Sequence, residues 1–362
     1  MNTNFYDLEL YCKPDFTECM KRVYAWYEGE IIDRVPVRFS AHNAQFETTD
    51  AERRWSSLKE RWYDAEYQVE HFAASLAPRL LGETFPVFWP NLGPNVFAAI
   101  LGGGELGFGE VTSWLHPVLE SPEEAEKIRW RGDSEYLKKL LELTDCALER
   151  CDHRFMVGYT DIHPSLDCLD ALRGTETLCM DMYDDPEAVL ALTERCFAPL
   201  EGAMRLFHDR LKAKKQLSVT WMNIPSYDTM HIPSCDLGSM ISRAHFDTFS
   251  MPYILRETLL FTHNIFHMDG KGVAKHLDSL LQAERIQAIQ WVQGVGEDRP
   301  IAQWVPLIQK IQHAGKGVVV DLHLSELEDF MSCMSPKGIY LCIDETDPLI
   351  QQRVLKRLLA WK

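Results

Sequence analysis

Short apolar runs alternate with longer amphipathic stretches along most of the chain. Eight of these runs are too short for helices, and most are rich in β-branched or aromatic residues, which is typical of buried strands. The predicted strands are Val35–Phe39, Pro86–Trp89, Arg154–Tyr159, Leu217–Trp221, Asn264–Met268, Ala288–Val292, Gly317–Leu322 and Gly338–Ile343.

Apolar residues recur every three to four positions in the stretches between these strands, which predicts amphipathic helices. Asp185 before Pro186 is a helix start, and Ser325-Glu-Leu-Glu328 has the pattern of a capping box. The predicted helices are Leu137–Arg150, Pro186–Lys212, Arg243–Thr262, Val273–Ala283, Ala302–His313 and Asp347–Ala360.

The alternation of eight strands with helices predicts an α/β fold with a parallel sheet, and the number of strands indicates a closed (β/α)8 TIM barrel. We expect one domain over residues 1–362, with a helical extension at residues 1–34 and further helices over Thr48–Arg79. The glycine-rich segment Gly93–Pro117 is predicted to be a loop on the substrate side.

Charge and cysteine content limit the function classes. The 362 residues carry a net charge of −17, which disfavours nucleic acid and anionic membranes as partners and leaves a small-molecule substrate. We see no secretory signal at the N-terminus and no apolar run of about 18 residues, the length of a membrane span. The 10 cysteines lack a C-x-x-C pair, so we expect reduced thiols in a cytoplasmic protein.

In a (β/α)8 barrel, functional residues lie at the C-terminal ends of the strands. Residues at or just beyond these ends, and in the loop after the fourth strand, are therefore the candidates. The candidate catalytic residues are Tyr159, Asp236, His267 and Asp269. The candidate substrate-pocket residues are Arg38, Trp89, Asn91, Trp221, Asn223, Trp291 and His323.

His267 and Asp269 are two residues apart on one predicted strand, so their side chains share a face. With Cys342 at the end of the eighth strand they offer nitrogen, oxygen and sulfur donors to a zinc ion with one position left open. Asp321 and His323 are reserve ligands. Two alternatives remain: Asp269 orients a histidine that acts as acid or base, or each pair only caps a strand end.

Several segments, in this order, resemble the uroporphyrinogen decarboxylase superfamily, which includes zinc-dependent methyltransferases linked to cobalamin or coenzyme M. The resemblance covers most of the chain. It rests on His163–Gly174 with the following Asp185-Pro-Glu, on Cys235–Ser242, Phe246 and Met251–Tyr253, and on His267–Gly270. The resemblance implies a single (β/α)8 barrel and a possible homodimer.

The methyltransferase branch is the nearer one. The decarboxylase's arginine-rich segment after its first strand is reduced here to Arg38, and no carboxylate follows the second strand at Phe88-Trp-Pro-Asn91. The resemblance implies that Asp236 replaces a serine of the decarboxylase. It also implies that His267 and Cys342 match two zinc ligands of the methyltransferases, with Asp269 in place of a cysteine.

The expected function is therefore zinc-assisted transfer of a methyl group from a small donor or a corrinoid, with a corrinoid protein as a possible partner. The aromatic strand ends would hold an apolar or cationic methyl donor. Two alternatives remain: a uroporphyrinogen decarboxylase of porphyrin biosynthesis, and a non-catalytic barrel that binds a small ligand.

Overall fold

The computed structural model describes residues 8–46 and 55–361. Its central feature is a parallel sheet of six strands in which the first strand of the chain pairs with the last. The strands are β1 Val37–Arg38, β2 Val87–Phe88, β3 Leu106–Phe108, β4 Ser113–Leu115, β5 Met156–Val157, β6 Met230–His231, β7 His263–Asp269, β8 Ala288–Val292, β9 Gly317–Asp321 and β10 Ile339–Cys342.

The order in the large sheet is β1-β10-β9-β8-β7-β6, and β2 with β5 forms a separate parallel pair. Hydrogen bonds from residues beside β2 and β5 link this pair to its surroundings. The Glu83 amide donates to the Val37 carbonyl at 2.7 Å, and the Tyr159 amide donates to the Val219 carbonyl at 2.9 Å. The α/β class and the parallel sheet therefore agree with the prediction, but the described residues contain no single sheet of eight strands.

Helices surround the sheet and join its strands. They are α1 Phe16–Tyr27, α2 Leu58–Tyr63, α3 Ala65–Ser75, α4 Val96–Gly102, α5 Glu135–Arg150, α6 Ser165–Arg173, α7 Thr175–Asp184, α8 Pro186–Phe197, α9 Leu200–Ala213, α10 Arg243–Phe249, α11 Met251–Leu259, α12 Gly270–Ala274, α13 Leu277–Leu281, α14 Val305–His313, α15 Leu327–Cys333 and α16 Pro348–Leu358. Helix α1 lies in the predicted extension 1–34, of which residues 1–7 lie outside the described residues.

One predicted helix is divided at a position that disfavours a continuous helix. The stretch Pro186–Lys212 becomes α8 and α9, and Pro199 immediately precedes α9. Proline has no amide hydrogen for the helical ladder, so it is tolerated at a helix start and not inside a helix. The first of these starts is as predicted, because the Asp185 side chain accepts a hydrogen bond from the Ala188 amide at 3.0 Å.

The predicted fourth strand, Leu217–Trp221, is not a strand in the structure. The chain turns back at Asn223, whose amide bonds the Thr220 carbonyl, and Ser218 then pairs antiparallel with Ser226. The neighbour of β7 is instead the short strand β6, which the sequence pattern did not predict. The glycine-rich segment 93–117 contains the hairpin β3–β4, and of the predicted stretch Thr48–Arg79 residues 48–54 lie outside the described part.

The strands of the large sheet lie in the hydrophobic core of the protein. The apolar run Val318-Val319-Val320 of β9 is fully buried, as expected for a central parallel strand covered on both faces. Among residues 8–46 and 55–361, no helix is both long enough and apolar enough to cross a membrane.

Candidate metal centre and substrate cavity

Three side chains at the C-terminal end of β7 bring ligand atoms together. One ligand atom each from Asp236, His267 and Asp269 lies within 4.8 Å of the others. His267 and Asp269 share a face because they are two residues apart on β7. Asp236 comes from the short 3₁₀ helix Asp236–Ser239, which follows β6.

His267 is held in one orientation by its neighbours. Its Nδ1 lies 2.7 Å from Oε1 of Gln290, the residue directly opposite on β8. The Trp221 ring packs edge-on against the imidazole, with ring centroids 5.2 Å apart. An amide oxygen can only accept, so Nδ1 carries a proton, and in the neutral ring the lone pair is then on Nε2. That is the tautomer required of a histidine that binds a metal through Nε2.

Asp236 is held in place by the carboxylate of Asp167 on α6. The amides of Asp236 and Leu237 donate to this carboxylate at 3.0 and 3.2 Å, and the Ser234 hydroxyl donates to it at 3.1 Å. From the other side, His276 contacts the Gly238 carbonyl through Nε2 at 2.8 Å. The turn that carries Asp236 is thus fixed at both ends.

Asp161 connects the supports of His267 and Asp236. One of its oxygens accepts from the Trp221 indole nitrogen at 3.1 Å, and the other lies 2.7 Å from Nε2 of His163. Nδ1 of His163 lies 2.7 Å from the Ser234 hydroxyl, which donates onward to Asp167. Burial opposes a charge on His163, but the adjacent Asp161 carboxylate outweighs it and raises the pKa of His163 to about 10.

The three converging groups carry excess negative charge. Partial burial and the Asp167 carboxylate raise the pKa of Asp236 to about 6. Neither Asp236 nor Asp269 forms an ion pair with a lysine or arginine of the described part of the chain. Two carboxylates and a correctly oriented imidazole form a donor set suited to a divalent cation, whose charge would offset the repulsion.

A cavity of about 1290 Å³ opens at the C-terminal ends of β1, β2, β9 and β10. Helix α3 forms its outer wall through Gln68, His71, Phe72 and Ser75, which share one helix face. Aromatic side chains dominate the wall on the side of β2, and polar groups dominate the strand ends. A volume this large exceeds that of most pockets for small molecules.

Three adjacent strands place Arg38, Cys342 and Asp321 side by side on the polar wall. Arg38 lies opposite Cys342, and Cys342 lies opposite Asp321. Cys342 shares hydrogen bonds with both neighbours, and burial raises the pKa of its thiol to about 12 despite the attraction of Arg38. Burial also raises the pKa of Asp321, although Arg38 and the bond from Cys342 oppose this.

Two uncharged side chains of the cavity have unused acceptors. Gln293 is 6% exposed, and its amide nitrogen donates to the Asp321 carbonyl at 3.2 Å. Its Oε1 and the Oδ1 of Asn223 have no hydrogen-bond partner within the described residues. Both oxygens are themselves buried, and a buried acceptor without a partner is destabilising.

The structure divides the predicted site residues between these two regions. Cys342 and the reserve ligand Asp321 line the cavity and are not among the three groups that converge at β7. His323 also lines the cavity, and its side chain accepts from the Ser325 amide as the cap of the 3₁₀ helix Leu324–Glu326. The remaining predicted pocket residues that line the cavity are Arg38, Trp89, Asn91 and Asn223.

Two predicted residues lie away from both regions. Trp291 is fully buried and packs on Trp304, with ring centroids 4.8 Å apart. Its neighbour Gln290 faces His267, so alternation along β8 puts Trp291 on the opposite, helix-covered face. Tyr159 is also buried; its hydroxyl donates to the Met230 carbonyl at 3.0 Å, and its ring packs edge-on against His208 of α9.

Trp221 has a different position from the one expected. It contacts His267 and Asp161 and does not line the cavity. The contribution of Gln290, Gln293 and Asp167 was not predicted from the sequence. A polar residue inside the apolar run Ala288–Val292 was the one available indication for Gln290, since a buried polar side chain needs a partner.

No protein-family model and no curated protein matches this sequence. The fold is similar to that of a methyltransferase from Methanosarcina mazei, with a TM-score of 0.58 over 94% of this chain and 98% of that chain. Only 11% of the residues are identical, so this likeness is one of fold alone.

Proposed function

We propose that this protein is a (β/α)8-barrel methyltransferase of the uroporphyrinogen decarboxylase superfamily, with a divalent metal ion, zinc in the first place, at Asp236, His267 and Asp269. The observation that carries the proposal is the convergence of these three ligand atoms within 4.8 Å at a strand end. The fold likeness to a methyltransferase and the sequence resemblance support the class of reaction.

The proposed ligand set differs from the one expected from the sequence in one residue. Asp236 takes the place of Cys342 because it lies beside His267, whereas Cys342 lines the cavity and is not among the converging ligand atoms. The role of Cys342 as a ligand stays a prediction that a variant can test.

The chemistry that a bound divalent ion supplies is Lewis acidity, which lowers the pKa of a thiol or water placed on it. The protein itself orients the donors. Gln290 and Trp221 fix the His267 ring, while Asp167 and His163 fix the turn of Asp236. The adjacent cavity would hold the substrate, and a corrinoid or a smaller methylated compound would be the methyl donor.

The cavity is a poor match for the decarboxylase alternative. Four carboxylates line it, those of Asp321, Glu326, Asp344 and Glu345, against the two guanidinium groups of Arg38 and Arg299. A porphyrinogen with eight carboxylates would be repelled by these acidic side chains. We therefore rank methyl transfer above porphyrinogen decarboxylation.

Metal analysis of untagged protein purified without chelator tests the proposal directly. We expect about one zinc per chain, and loss of that zinc in His267→Ala but not in the matched surface variant His313→Ala. The zinc-loaded protein should then demethylate methylcobalamin in the presence of a small thiol. The change in corrinoid absorbance measures this reaction. Less than about 0.1 metal per chain in the native protein would end the proposal.

A further inference from the structure

The cavity wall holds two opposite charges that are not paired with each other. Arg38 and Asp321 are separated by Cys342, which lies between them on β10. Two strand spacings put their backbones roughly 10 Å apart. The Arg38 guanidinium reaches the Met222 carbonyl, and neither side chain has an ion pair among residues 8–46 and 55–361.

Asp321 is the acceptor that this wall offers to a ligand. It lines the cavity beside Arg38 and Cys342, whereas the amide oxygens of Gln293 and Asn223 are themselves buried and not open to the cavity. A ligand group with several N–H donors and a positive charge, such as a primary ammonium, is suited to a carboxylate in this position.

Arg38 decides between a simple amine and a zwitterion. An ammonium bound beside Asp321 would be repelled by the Arg38 guanidinium, and a carboxylate bound at Arg38 would be repelled by Asp321. A ligand that carries both charges on neighbouring atoms makes both contacts favourable. We infer that the cavity binds a zwitterionic aminocarboxylate, with its ammonium at Asp321 and its carboxylate at Arg38.

The opposite wall indicates the side chain of this ligand. Phe72 of α3 and Phe88 of β2 pack edge-on with ring centroids 5.6 Å apart, and both line the cavity together with Phe85. A large apolar or aromatic substituent fits such a wall better than a polar one, since it removes apolar surface from water. The cavity volume of about 1290 Å³ leaves room for it.

This inference names a substrate class for the proposed enzyme. It rests on the proposed function only in treating the bound compound as a substrate. The test is isothermal titration calorimetry of the full chain, freed of metal with EDTA, against L-phenylalanine, 3-phenylpropanoate and 2-phenylethylamine. We expect L-phenylalanine to bind at least about tenfold more tightly than either analogue, because each lacks one charged contact. Equal affinity of either analogue, or no binding of any of the three at millimolar concentration, would overturn the inference.

Two variants assign the contacts. Asp321→Asn should reduce the affinity for L-phenylalanine to that for 3-phenylpropanoate and leave the latter's affinity undiminished. Arg38→Gln should reduce the affinity for L-phenylalanine to that for 2-phenylethylamine and leave the latter's affinity undiminished. The matched controls are Asp329→Asn and Arg353→Gln, both at exposed positions. The ligand series on the wild-type protein decides the question if a variant does not fold, and metal content decides the proposed function separately.

Discussion

Nδ1 of His267 lies 2.7 Å from Oε1 of Gln290, its direct neighbour across the strand pair β7–β8. The contact fixes which imidazole nitrogen carries the proton and leaves Nε2 free of this hydrogen bond. A single buried amide therefore determines whether β7 presents a metal-binding imidazole.

Replacing Gln290 with methionine, which is similar in length but whose sulfur is only a weak acceptor, should weaken zinc binding about 10- to 100-fold. Competition against a chromophoric chelator measures this affinity. Gln282→Met is the matched control, because Gln282 is exposed and lies directly after α13, before β8. Wild-type affinity in Gln290→Met would show that the amide does not orient the ring.

The third ligand can be identified by comparing two substitutions. We expect Asp236→Asn to lower the zinc content well below one per chain, since it removes an anionic donor from the converging group. Cys342→Ser should leave the content unchanged, because its thiol is bonded to Asp321 and Arg38. The opposite pattern in elemental analysis would restore Cys342 as the ligand.

The charge on His163 predicts how stability changes with pH. The pKa of His163 is raised from 6.5 to about 10 in the folded protein. Burial acts to lower this pKa, but the Asp161 carboxylate outweighs burial. The folded state therefore binds one more proton than the unfolded state between these values, so the stabilisation is complete below pH 6.5 and is lost as pH rises towards 10.

Urea unfolding of the wild type and of His163→Gln at several pH values measures this effect. The difference in free energy of unfolding should shrink by up to about 1.4 kcal/mol per pH unit through the alkaline range. Both of the ring nitrogens have internal partners, so the glutamine variant keeps polar atoms near Asp161 and Ser234. A difference that stays constant from neutral to alkaline pH would contradict a charged His163.

Tyr159 should behave as a structural residue. Tyr159→Phe removes a buried hydrogen bond to the Met230 carbonyl and is expected to reduce the free energy of unfolding by about 1 kcal/mol. Zinc content and methyl transfer should be unchanged, because the ring faces α9. Tyr183→Phe, at a side chain 71% exposed, is the control. A large loss of turnover without loss of stability would return Tyr159 to the catalytic group.

The elements most visible in the sequence were those with strong local patterns. The β-branched run of β9 and the proline-capped start of α8 need no distant partner to be recognised, because burial and capping leave marks on adjacent residues. Strand β6 has two residues and no such pattern, so it was missed. Its place in the sheet depends on β7, which lies some 30 residues further along the chain.

Period-two alternation by itself determined that His267 and Asp269 share a face, since that follows from strand geometry alone. The sequence did not determine which face of β8 points inward. The register between β7 and β8 places Gln290 on the inner face and Trp291 on the outer face. The approach of Asp236 to His267, and the row of Arg38, Cys342 and Asp321, also belong to the tertiary structure. These residues are far apart in the chain, and only the pairing of strands, which depends on the packing of the whole core, brings them together.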